Sequence, residues 1–576
     1  MHPEFTVEGS AEFSLTHCVT AEDDCTYIDI HAKALSAPGK LSVAVKWNYP
    51  LIGAHLSWSP IPYAVRGVTP TWGVDKTESY AMRSAPVRSY VAYDDTNGIT
   101  VACSDAKNNV CIQMGLRESC ACLACGVFIR VDCDIADYSA RVRIDERKIP
   151  FTKCIEDVAK WWESFDGYTP APVPEAARRP LYSTWYSYHQ GITPDALVRE
   201  CEYFHELGCD TIIVDDGWHT AVKGGVYSTC GDWIPSAEKF PDMRAFVDRI
   251  HKIGMKIMLW YTVPFMGENT MCYEHFKDKM LKPYGNHKTW ILDPRYPEVR
   301  EYIIDKYRSA LTDWGIDGLK LDFIDSFAQS DVVRDGMDFV SVYDAVDRLM
   351  KDVLKALREV RPDVLIEFRQ TYIGPLMRTF GNMFRSSDTP NDSFGNRLNV
   401  LHLRQMSGNT AVHSDMTMWH PEESVESAAF QLTGVLFSVP QISVRESGIP
   451  EDHKAMIKEY LSFWNRYREV ILDGEMTYKN FHANYTYVSA RLGDTQVGAV
   501  YGGRVAYLDV ATEEIVLVNA TMEKTVWLDA RFRGKYSCLV KDCMGQECGT
   551  YEVTLGEPAR IPVPVNGYVY MRRSVS

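Results

Sequence analysis

The stretch Gly318-Leu319-Lys320-Leu321-Asp322-Phe323-Ile324-Asp325 is the clearest guide to the architecture of this chain. It is a short apolar run that ends in a cation and two carboxylates, and it follows a helix-like segment, residues 297–314, that stops at Gly315. Parallel α/β barrels carry their chemistry at such strand ends. Strand alternation places Lys320 and Asp322 on one face. A lysine beside a carboxylate keeps it ionised, as a nucleophile must be.

Strand and helix patterns alternate around this stretch. Thr193 can cap a helix that begins at Pro194 and ends near Gly208, and the apolar run of residues 211–214 follows as a buried strand. The same unit recurs along roughly 280 residues, as expected for a (β/α)₈ barrel. The eight predicted strands are residues 181–186, 211–214, 256–260, 319–323, 364–367, 382–385, 411–414 and 441–444.

Strand-like sequence fills the chain on both sides of this region. Alternating segments such as residues 41–47 precede a linker marked by Pro170, Pro172 and Pro174, and segments such as residues 568–571 come after it. We therefore predict a multidomain α/β protein with a central (β/α)₈ TIM barrel over residues 169–474. An N-terminal β-sandwich over residues 1–168 and a small C-terminal antiparallel β-sandwich domain over residues 475–576 flank it.

Composition excludes several classes of partner. The 576 residues carry 77 acidic and 61 basic side chains, a net charge of −16, which argues against nucleic acid and anionic membranes as partners. The sequence contains no apolar run long enough for a membrane span and no visible signal peptide. We expect a cytoplasmic protein whose sixteen cysteines are free thiols. Cys120, Cys122 and Cys125 could bind zinc, but no second cluster at ligand spacing completes four ligands.

Two adjacent carboxylates follow the second predicted strand. Asp215 and Asp216 can accept hydrogen bonds from sugar hydroxyls, and the nearby Trp218 offers a stacking face. A metal site or a helix cap is the alternative. An amidohydrolase-type barrel would show His-x-His after its first strand, where this chain has Trp185-Tyr186.

Glycoside hydrolysis needs two carboxyl groups that flank the scissile bond. Asp388, after the sixth predicted strand, is the group we pair with Asp322. Arg369 and Arg385 also point to the barrel mouth, where an arginine can bind hydroxyls, hold a carboxylate ionised or form a structural ion pair. Structural roles are favoured for a further set of polar and aromatic residues near strand ends: His189, Asp232, Trp233, His413 and Asp415.

Together these motifs resemble glycoside hydrolase family 36, the retaining α-galactosidases of clan D. The Lys-x-Asp motif of that family stands here as Lys320-Leu321-Asp322, and the Asp-Asp-Gly-Trp motif as residues 215–218. The aromatic residues after the first and third strands stand as Trp185-Tyr186 and Trp260. The likeness covers most of the chain and implies the same three regions.

The resemblance also implies roles for single residues. Asp215 and Asp216 match the pair that binds O4 and O6 of galactose. Asp388 matches the acid/base of a Ser-Asp-x-x-Asp-x-x-x-Arg motif, although here Asp392 and Arg397 follow at spacings one residue longer. Many family members have Cys-Ser-Gly-Gly-Gly after the fifth strand, where this chain has Glu367-Phe368-Arg369-Gln370 and resembles a shorter branch.

The activity implied is that of a retaining exo-α-galactosidase that needs no cofactor and no metal. Asp322 would be the nucleophile and Asp388 the acid/base. The substrate-binding residues would be Trp185, Tyr186, Asp215, Asp216, Trp260, Lys320, Arg369 and Arg385. Three alternatives remain open: an α-N-acetylgalactosaminidase of the same family, a catalytically silent sugar-binding protein, and a metal-dependent barrel hydrolase. The sequence sets no oligomeric state.

Overall fold

A closed barrel of eight parallel strands forms the middle of the chain, as predicted. The computed structural model describes residues 4–62, 66–73, 76–222, 227–286, 288–369 and 371–574. The strands close on themselves where Leu181 of the first pairs with Gln441 of the last. We number them β1 (Leu181–Ser183), β2 (Thr211–Val214), β3 (Lys256–Thr262), β4 (Gly318–Asp322), β5 (Leu365–Arg369), β6 (Met383–Arg385), β7 (Ala411–Thr417) and β8 (Val439–Ile442).

Helices connect and surround the strands. Side chains of Asp242, Ser341, Asp392 and Ser424 cap four of them by accepting a backbone N–H three residues along. The helices of this region are Trp185–Tyr188, Pro194–Glu206, Met243–Ile253, Tyr273–Phe276, Pro297–Ser309, Val342–Val360, Met377–Phe380, Ser393–Met406, Val425–Thr433 and Glu451–Asp473. A small antiparallel sheet follows β3, with strands Phe265–Gly267, Met280–Pro283 and Thr289–Leu292.

The first strand is shorter than predicted. It ends at Ser183, and Trp185 and Tyr186 lie in the short helix Trp185–Tyr188. Thr184 already has helical torsion angles, φ −84° and ψ −12°, and its Oγ1 accepts a hydrogen bond from the backbone N–H of Asp215 at 3.0 Å. This contact with the end of β2 is a tertiary one, so aromatic strand propensity could not reveal it.

β4 ends one residue earlier than predicted, at Asp322. Phe323 has φ 58°, in the left-handed region, and therefore leaves the strand geometry at once. Before β4, the helix Pro297–Ser309 continues as a π-helical segment to Trp314 and stops at Gly315, whose φ is 79°. The predicted stop at this glycine is confirmed.

The region before the barrel consists of two facing sheets with an apolar core between them. The five-stranded sheet contains Thr6–Gly9, Gly39–Pro50, Lys76–Ser79, Asn109–Arg117 and Cys122–Ile135. The six-stranded sheet contains Phe13–Glu22, Cys25–Ala34, Leu56–Trp58, Val87–Val91, Asn97–Cys103 and Asp137–Asp145. The helix Phe151–Glu163 leads from this sandwich towards the barrel.

The region after the barrel forms a seven-stranded and a three-stranded sheet, in which most pairs are antiparallel and two are parallel. The larger sheet contains Glu475–Lys479, Tyr487–Leu492, Thr495–Val500, Glu514–Asn519, Gly534–Lys541, Glu547–Leu555 and Tyr568–Arg573. The smaller contains Val505–Leu508, Thr525–Ala530 and Ala559–Pro562. The domain limits at residues 168/169 and 474/475 stay predictions.

An apolar layer closes the amino-terminal end of the barrel. It consists of Ala177, Leu181, Ile213, Met258, Leu365, Met383 and Ala411, and Val173 and Ala176 pack against it. The polar side chains of the candidate site lie at the opposite, carboxyl-terminal end, where barrels of this type carry their chemistry. Among the described residues, no helix is long and apolar enough to cross a membrane.

Candidate active site at the barrel mouth

The carboxylate of Asp322 lies at the end of β4 and accepts four hydrogen bonds. Oδ1 accepts from the backbone N–H of Phe323 at 2.7 Å and from Oη of Tyr372 at 3.1 Å. Oδ2 accepts from Nε1 of Trp260 at 3.0 Å and lies 2.7 Å from Nε of Arg369. These donors fix the orientation of a buried carboxylate and compensate its negative charge.

One guanidinium joins the two predicted catalytic carboxylates. Arg369 contacts Asp322 through Nε, and its Nη1 donates to Oδ2 of Asp388 at 2.8 Å. The guanidinium lies against the rings of Phe323 and Tyr372, with centroids 5.5 and 6.0 Å away. Burial alone would lower the pKa of Arg369, but the charges of Asp322 and Asp388 hold it well above its usual value. Arg369 is therefore a fixed cation between two anions.

Asp388 is held by a second arginine as well. Arg385 of β6 donates from Nη2 to Oδ1 of Asp388 at 2.7 Å. Burial acts to raise the pKa of Asp388, but the charges of Arg385 and Arg369 outweigh it and bring this pKa well below its usual value. In the free protein Asp388 is therefore a carboxylate, and it can take up a proton only when its surroundings change.

Asp415 completes this group, although the sequence favoured a structural role for it. Its carboxylate is fully buried and pairs with Nη1 of Arg385. Tyr186 donates to the same carboxylate from Oη at 2.9 Å. The clue in the sequence was its position, because a carboxylate inside the buried strand Ala411–Thr417 requires a partner. The nearby His413 instead donates from Nε2 to the backbone oxygen of Ala177 at 2.8 Å, and burial lowers its pKa to about 4.

Lys320 pairs with Asp215 rather than with Asp322. Its Nζ lies 2.5 Å from Oδ2 of Asp215, and both side chains are buried. The expectation that Lys320 supports Asp322 directly is therefore replaced by a division of tasks, with Arg369 beside Asp322 and Lys320 beside Asp215. The common face of β4 is as predicted, but the barrel brings the end of β2 closer to the lysine.

Asp216 is held from the loop after β1. Gln190 donates from Nε2 to Oδ2 of Asp216 at 2.8 Å, and Nε2 of His219 lies 3.2 Å from Oδ1. Trp218 cannot stack on a ligand, because it is fully buried and its Nε1 donates to the backbone oxygen of Trp260 at 2.9 Å. Trp218 supports the backbone of β3, so the expectation that it offers a stacking face for a sugar is corrected.

Aromatic residues form the walls near these carboxylates. The ring of Trp185 meets His189 edge-on, with centroids 4.6 Å apart. Trp260 is buried and acts through its indole N–H on Asp322. Trp233, which has φ 53°, packs on Trp218 and is part of the same aromatic cluster. Asp232 accepts from the backbone N–H groups of residues 271 and 272, which is a structural role.

Two residues of the acid/base motif lie away from the carboxylates. Asp392 caps the helix Ser393–Met406 by accepting the N–H of Gly395 at 2.8 Å. The guanidinium of Arg397 lies over the ring of Tyr501, 4.4 Å from its centroid. Both contacts stabilise the helix after β6. Gln370, which follows Arg369 in the sequence, lies outside the described residues.

The N-terminal sandwich touches the rim of the site. Oη of Tyr80 donates to the backbone oxygen of Asp325 at 3.2 Å, and the backbone N–H of Ser84 donates to the oxygen of Thr371 at 2.8 Å. These contacts brace the loops after β4 and β5.

Taken together, the barrel mouth holds two carboxylates joined by one cation and a set of further carboxylates suited to hydroxyl groups.

Comparison with known proteins agrees with the motifs. Residues 173–371 match the family model described as Melibiase. An α-galactosidase from Escherichia coli is 24% identical over 202 residues, which cover 34% of this chain and 28% of that protein. A bifunctional α-galactosidase/sucrose kinase from Mediterraneibacter gnavus is 28% identical over 194 residues, covering 32% of this chain and 20% of that protein. The chain thus matches less than a third of the length of these curated relatives.

Solved structures share the fold across nearly the whole chain. A GH36 α-galactosidase from Geobacillus stearothermophilus in complex with stachyose superposes with a TM-score of 0.69 at 14% identity, covering 98% of this chain and 81% of that one. The galactosidase domain of an α-galactosidase–sucrose kinase gives 0.64 at 14% identity, covering 99% and 85%. These structural matches confirm the predicted fold class, and together with the melibiase model and the α-galactosidase relatives they confirm the resemblance to family 36.

Proposed function

We propose that this chain, whose barrel matches the melibiase model, is a retaining exo-glycosidase that removes terminal α-linked galactose. The observation that carries the proposal is the single guanidinium of Arg369 that contacts both Asp322 and Asp388. Neighbouring nitrogens of one guanidinium bring two carboxyl groups close together. Retaining glycosidases keep them about 5–5.5 Å apart, whereas inverting enzymes hold them farther apart to admit a water molecule.

The proposed reaction has two displacements. Asp322 attacks C1 of the galactose while Asp388 gives a proton to the glycosidic oxygen. The aglycone leaves as an alcohol, and the galactose stays bound to Asp322 as a covalent glycosyl-enzyme. Asp388 then takes a proton from a water molecule, whose oxygen attacks C1 and releases Asp322. Both carboxyl groups end as they began, so no cofactor enters the balance.

Arg369 would have to release one carboxylate when a sugar enters between them. Its stacking on Phe323 and Tyr372 restricts it to a small movement within the site. Loss of its contact with Asp388 would raise the pKa of that group and allow it to hold the proton that the first step requires. Substrate binding would thus convert the resting carboxylate into a general acid.

Recognition of galactose is assigned to the carboxylates after β2. Asp216 keeps donors from two sides, Gln190 and His219, and can exchange them for sugar hydroxyls such as O4 and O6. Asp215 with Lys320 offers an acceptor and a donor side by side. Trp185 and Tyr186 would bound the pocket, and Trp260 and Arg385 would act through Asp322 and Asp388.

The α-N-acetylgalactosaminidase alternative needs room beside C2. C2 is bonded to the carbon that Asp322 attacks, so its substituent would lie close to the donors around Asp322. The Arg369 guanidinium and the buried ring of Tyr372 contact Asp322 and would crowd a bulky substituent there. A hydroxyl fits this surrounding better than an acetamido group.

A cytoplasmic location stays a prediction.

The test compares nitrophenyl α-galactoside with its 2-acetamido analogue. We expect hydrolysis of the galactoside, with kcat/KM at least tenfold higher than on the analogue, and release of α-galactose first, as seen by proton NMR before mutarotation. Preference for the acetamido sugar would favour the alternative enzyme. Tight sugar binding without turnover would indicate a silent binding protein, and loss of activity with a chelator would indicate a metal-dependent hydrolase.

A further inference from the structure

The buried carboxylate of Asp415 contacts Arg385, which pairs with Asp388, and the backbone of Thr389, which follows Asp388 in the sequence. It has no step in the reaction proposed above. Its Oδ1 accepts from Nη1 of Arg385, whose other terminal nitrogen donates to Asp388 at 2.7 Å. Its Oδ2 accepts from the backbone N–H of Thr389 at 2.6 Å, from Oγ1 of that residue at 3.2 Å and from Oη of Tyr186 at 2.9 Å. Asp415 thus holds Asp388 by two separate routes.

Hydrogen bonds and a strand irregularity fix the position of Asp415 in the fold. Its backbone N–H donates to Oγ of Ser386 at 2.8 Å and to Oδ1 of Asn396 at 2.9 Å. The register of β7 against β8 shifts between His413 and Met416, an irregularity that can re-aim a side chain next to a site. A fully buried carboxylate with this many partners is far from the solvated default for aspartate.

We propose that Asp415 is the positioning residue of the acid/base: it fixes the peptide that follows Asp388 and takes a share of the positive charge of Arg385. This inference rests on the proposed glycosidase function and adds a residue to it. Arg385 forms ion pairs with Asp388 and Asp415, so without Asp415 its ion pair with Asp388 would remain. Asp388 would then stay ionised more firmly and would donate a proton less readily.

The charged and titratable groups that face Asp388 come from five elements. Lys320 and Asp322 lie on β4, Arg369 on β5, Arg385 on β6 and Asp415 on β7, and the phenol of Tyr186 lies after β1. Burial opposes ionisation of Asp388, and Arg385, Arg369 and Lys320 favour it. Burial raises the pKa of Asp415, and the charge of Asp388 adds to this, so the two carboxylates repel one another. By the same repulsion, Asp415 makes Asp388 easier to protonate.

The test is the pH profile of kcat at saturating substrate, which reports groups in the enzyme–substrate complex, for wild type, Asp415→Asn and Asp415→Glu. In the asparagine variant we expect the basic limb to move to lower pH by about one unit, which is a tenfold loss of the protonated acid above that pH. The loss should be larger on a natural α-galactoside than on an activated aryl galactoside, because only the former depends on a general acid. The glutamate variant keeps the charge and should keep the basic limb.

The neutral control is Thr389→Val, which removes one hydrogen bond from Asp415 without changing a charge and should leave the basic limb in place. An unmoved limb in Asp415→Asn, with equal losses on both substrates, would reduce Asp415 to a structural residue and overturn the inference. If Asp415→Asn does not fold, the double variant Asp415→Asn/Arg385→Gln removes the buried pair together. Its basic limb should rise, because Asp388 loses a cation.

Failure of the proposed function can be told apart from failure of this inference. A wild-type protein that hydrolyses no α-galactoside rejects the former. The latter is then decided by titration of the Asp388 carboxyl carbon in ¹³C NMR, assigned with Asp388→Asn. A midpoint that falls in Asp415→Asn relative to wild type supports the positioning role, and an unchanged midpoint rejects it.

Discussion

Lys320 donates from Nζ to Asp215 at 2.5 Å, so the lysine of β4 neutralises a carboxylate at the end of β2. Both side chains are almost completely buried, at 2% and 3% exposure. A buried pair stabilises a protein little relative to apolar residues, but breaking it by removing one partner is costly. The pair is therefore better understood as a fixed feature of the sugar pocket than as a source of stability.

This pair leads to a stability prediction. Lys320→Met should lower the free energy of unfolding by about 3–5 kcal/mol, because it leaves Asp215 buried without its cation. The double variant Lys320→Met/Asp215→Asn should recover much of the loss while staying inactive. Denaturant unfolding and hydrolysis of nitrophenyl α-galactoside measure the two effects. A double variant as unstable as the single one would show that Asp215 is not the group left uncompensated.

Asp322→Asn should abolish turnover and leave the fold intact. The amide cannot form the glycosyl-enzyme, and loss of a nucleophile lowers kcat by about 10⁴ or more. The matched control is Asp392→Asn, since asparagine caps a helix as well as aspartate and Asp392 contacts Gly395 rather than the site. Activity above a few per cent in Asp322→Asn, with normal thermal unfolding, would assign the nucleophile to another residue.

Asp388→Ala should separate the two steps of the reaction. A natural α-galactoside, with its poor leaving group, should lose more rate than an activated aryl galactoside. Azide should restore turnover by attacking the glycosyl-enzyme and yield the α-galactosyl azide expected for retention. Equal losses on both substrates without azide rescue would assign the acid/base role to another residue.

Some parts of the structure were predictable because their determinants are local. The strand Thr211–Val214 and the helix Val342–Val360 have the predicted limits, since an apolar run, an apolar stripe and the cap at Ser341 define them. Partner choice was not predictable in the same way. That Lys320 meets Asp215 depends on how β2, β3 and β4 pair side by side, and no local pattern reports this register.

The difference between local patterns and tertiary contacts also explains which features of the candidate site could be predicted. Asp322, Asp388 and Arg369 were predicted as members of one site from their strand ends, but the bridging contact of Arg369 depends on the rings of Phe323 and Tyr372 that hold it. Asp415 was undervalued because a carboxylate inside a strand has no motif of its own. Its significance comes from Arg385, 30 residues earlier in the sequence.

Arg369→Gln should raise the basic limb of the pH profile. Arg385 and Arg369 hold the pKa of Asp388 below its usual value against the effect of burial, so loss of one cation raises this pKa. A general acid must be protonated, and a higher pKa keeps it protonated to higher pH. The profile of kcat on a natural α-galactoside at saturating concentration measures the shift in the enzyme–substrate complex. A limb that moves to lower pH would contradict the electrostatic role of Arg369.

Asp216→Ala should weaken the choice of sugar rather than remove the chemistry. Asp216 is not among the groups around Asp322 and Asp388, and its partners are Gln190 and His219. A hydroxyl left unpaired in a closed pocket costs about 1–3 kcal/mol. Galactose and glucose differ only in the configuration at O4, so the ratio of α-galactoside to α-glucoside activity should fall.

The measurement for Asp216→Ala is kcat/KM on paired nitrophenyl α-galactoside and α-glucoside for wild type and variant. Gln190→Ala is the matched control, because it removes a donor to Asp216 and leaves the carboxylate itself in place. The control should change the ratio less than Asp216→Ala does. A ratio that is the same in wild type and Asp216→Ala would show that this carboxylate does not bind O4, and the assignment of galactose would then depend on the family resemblance alone.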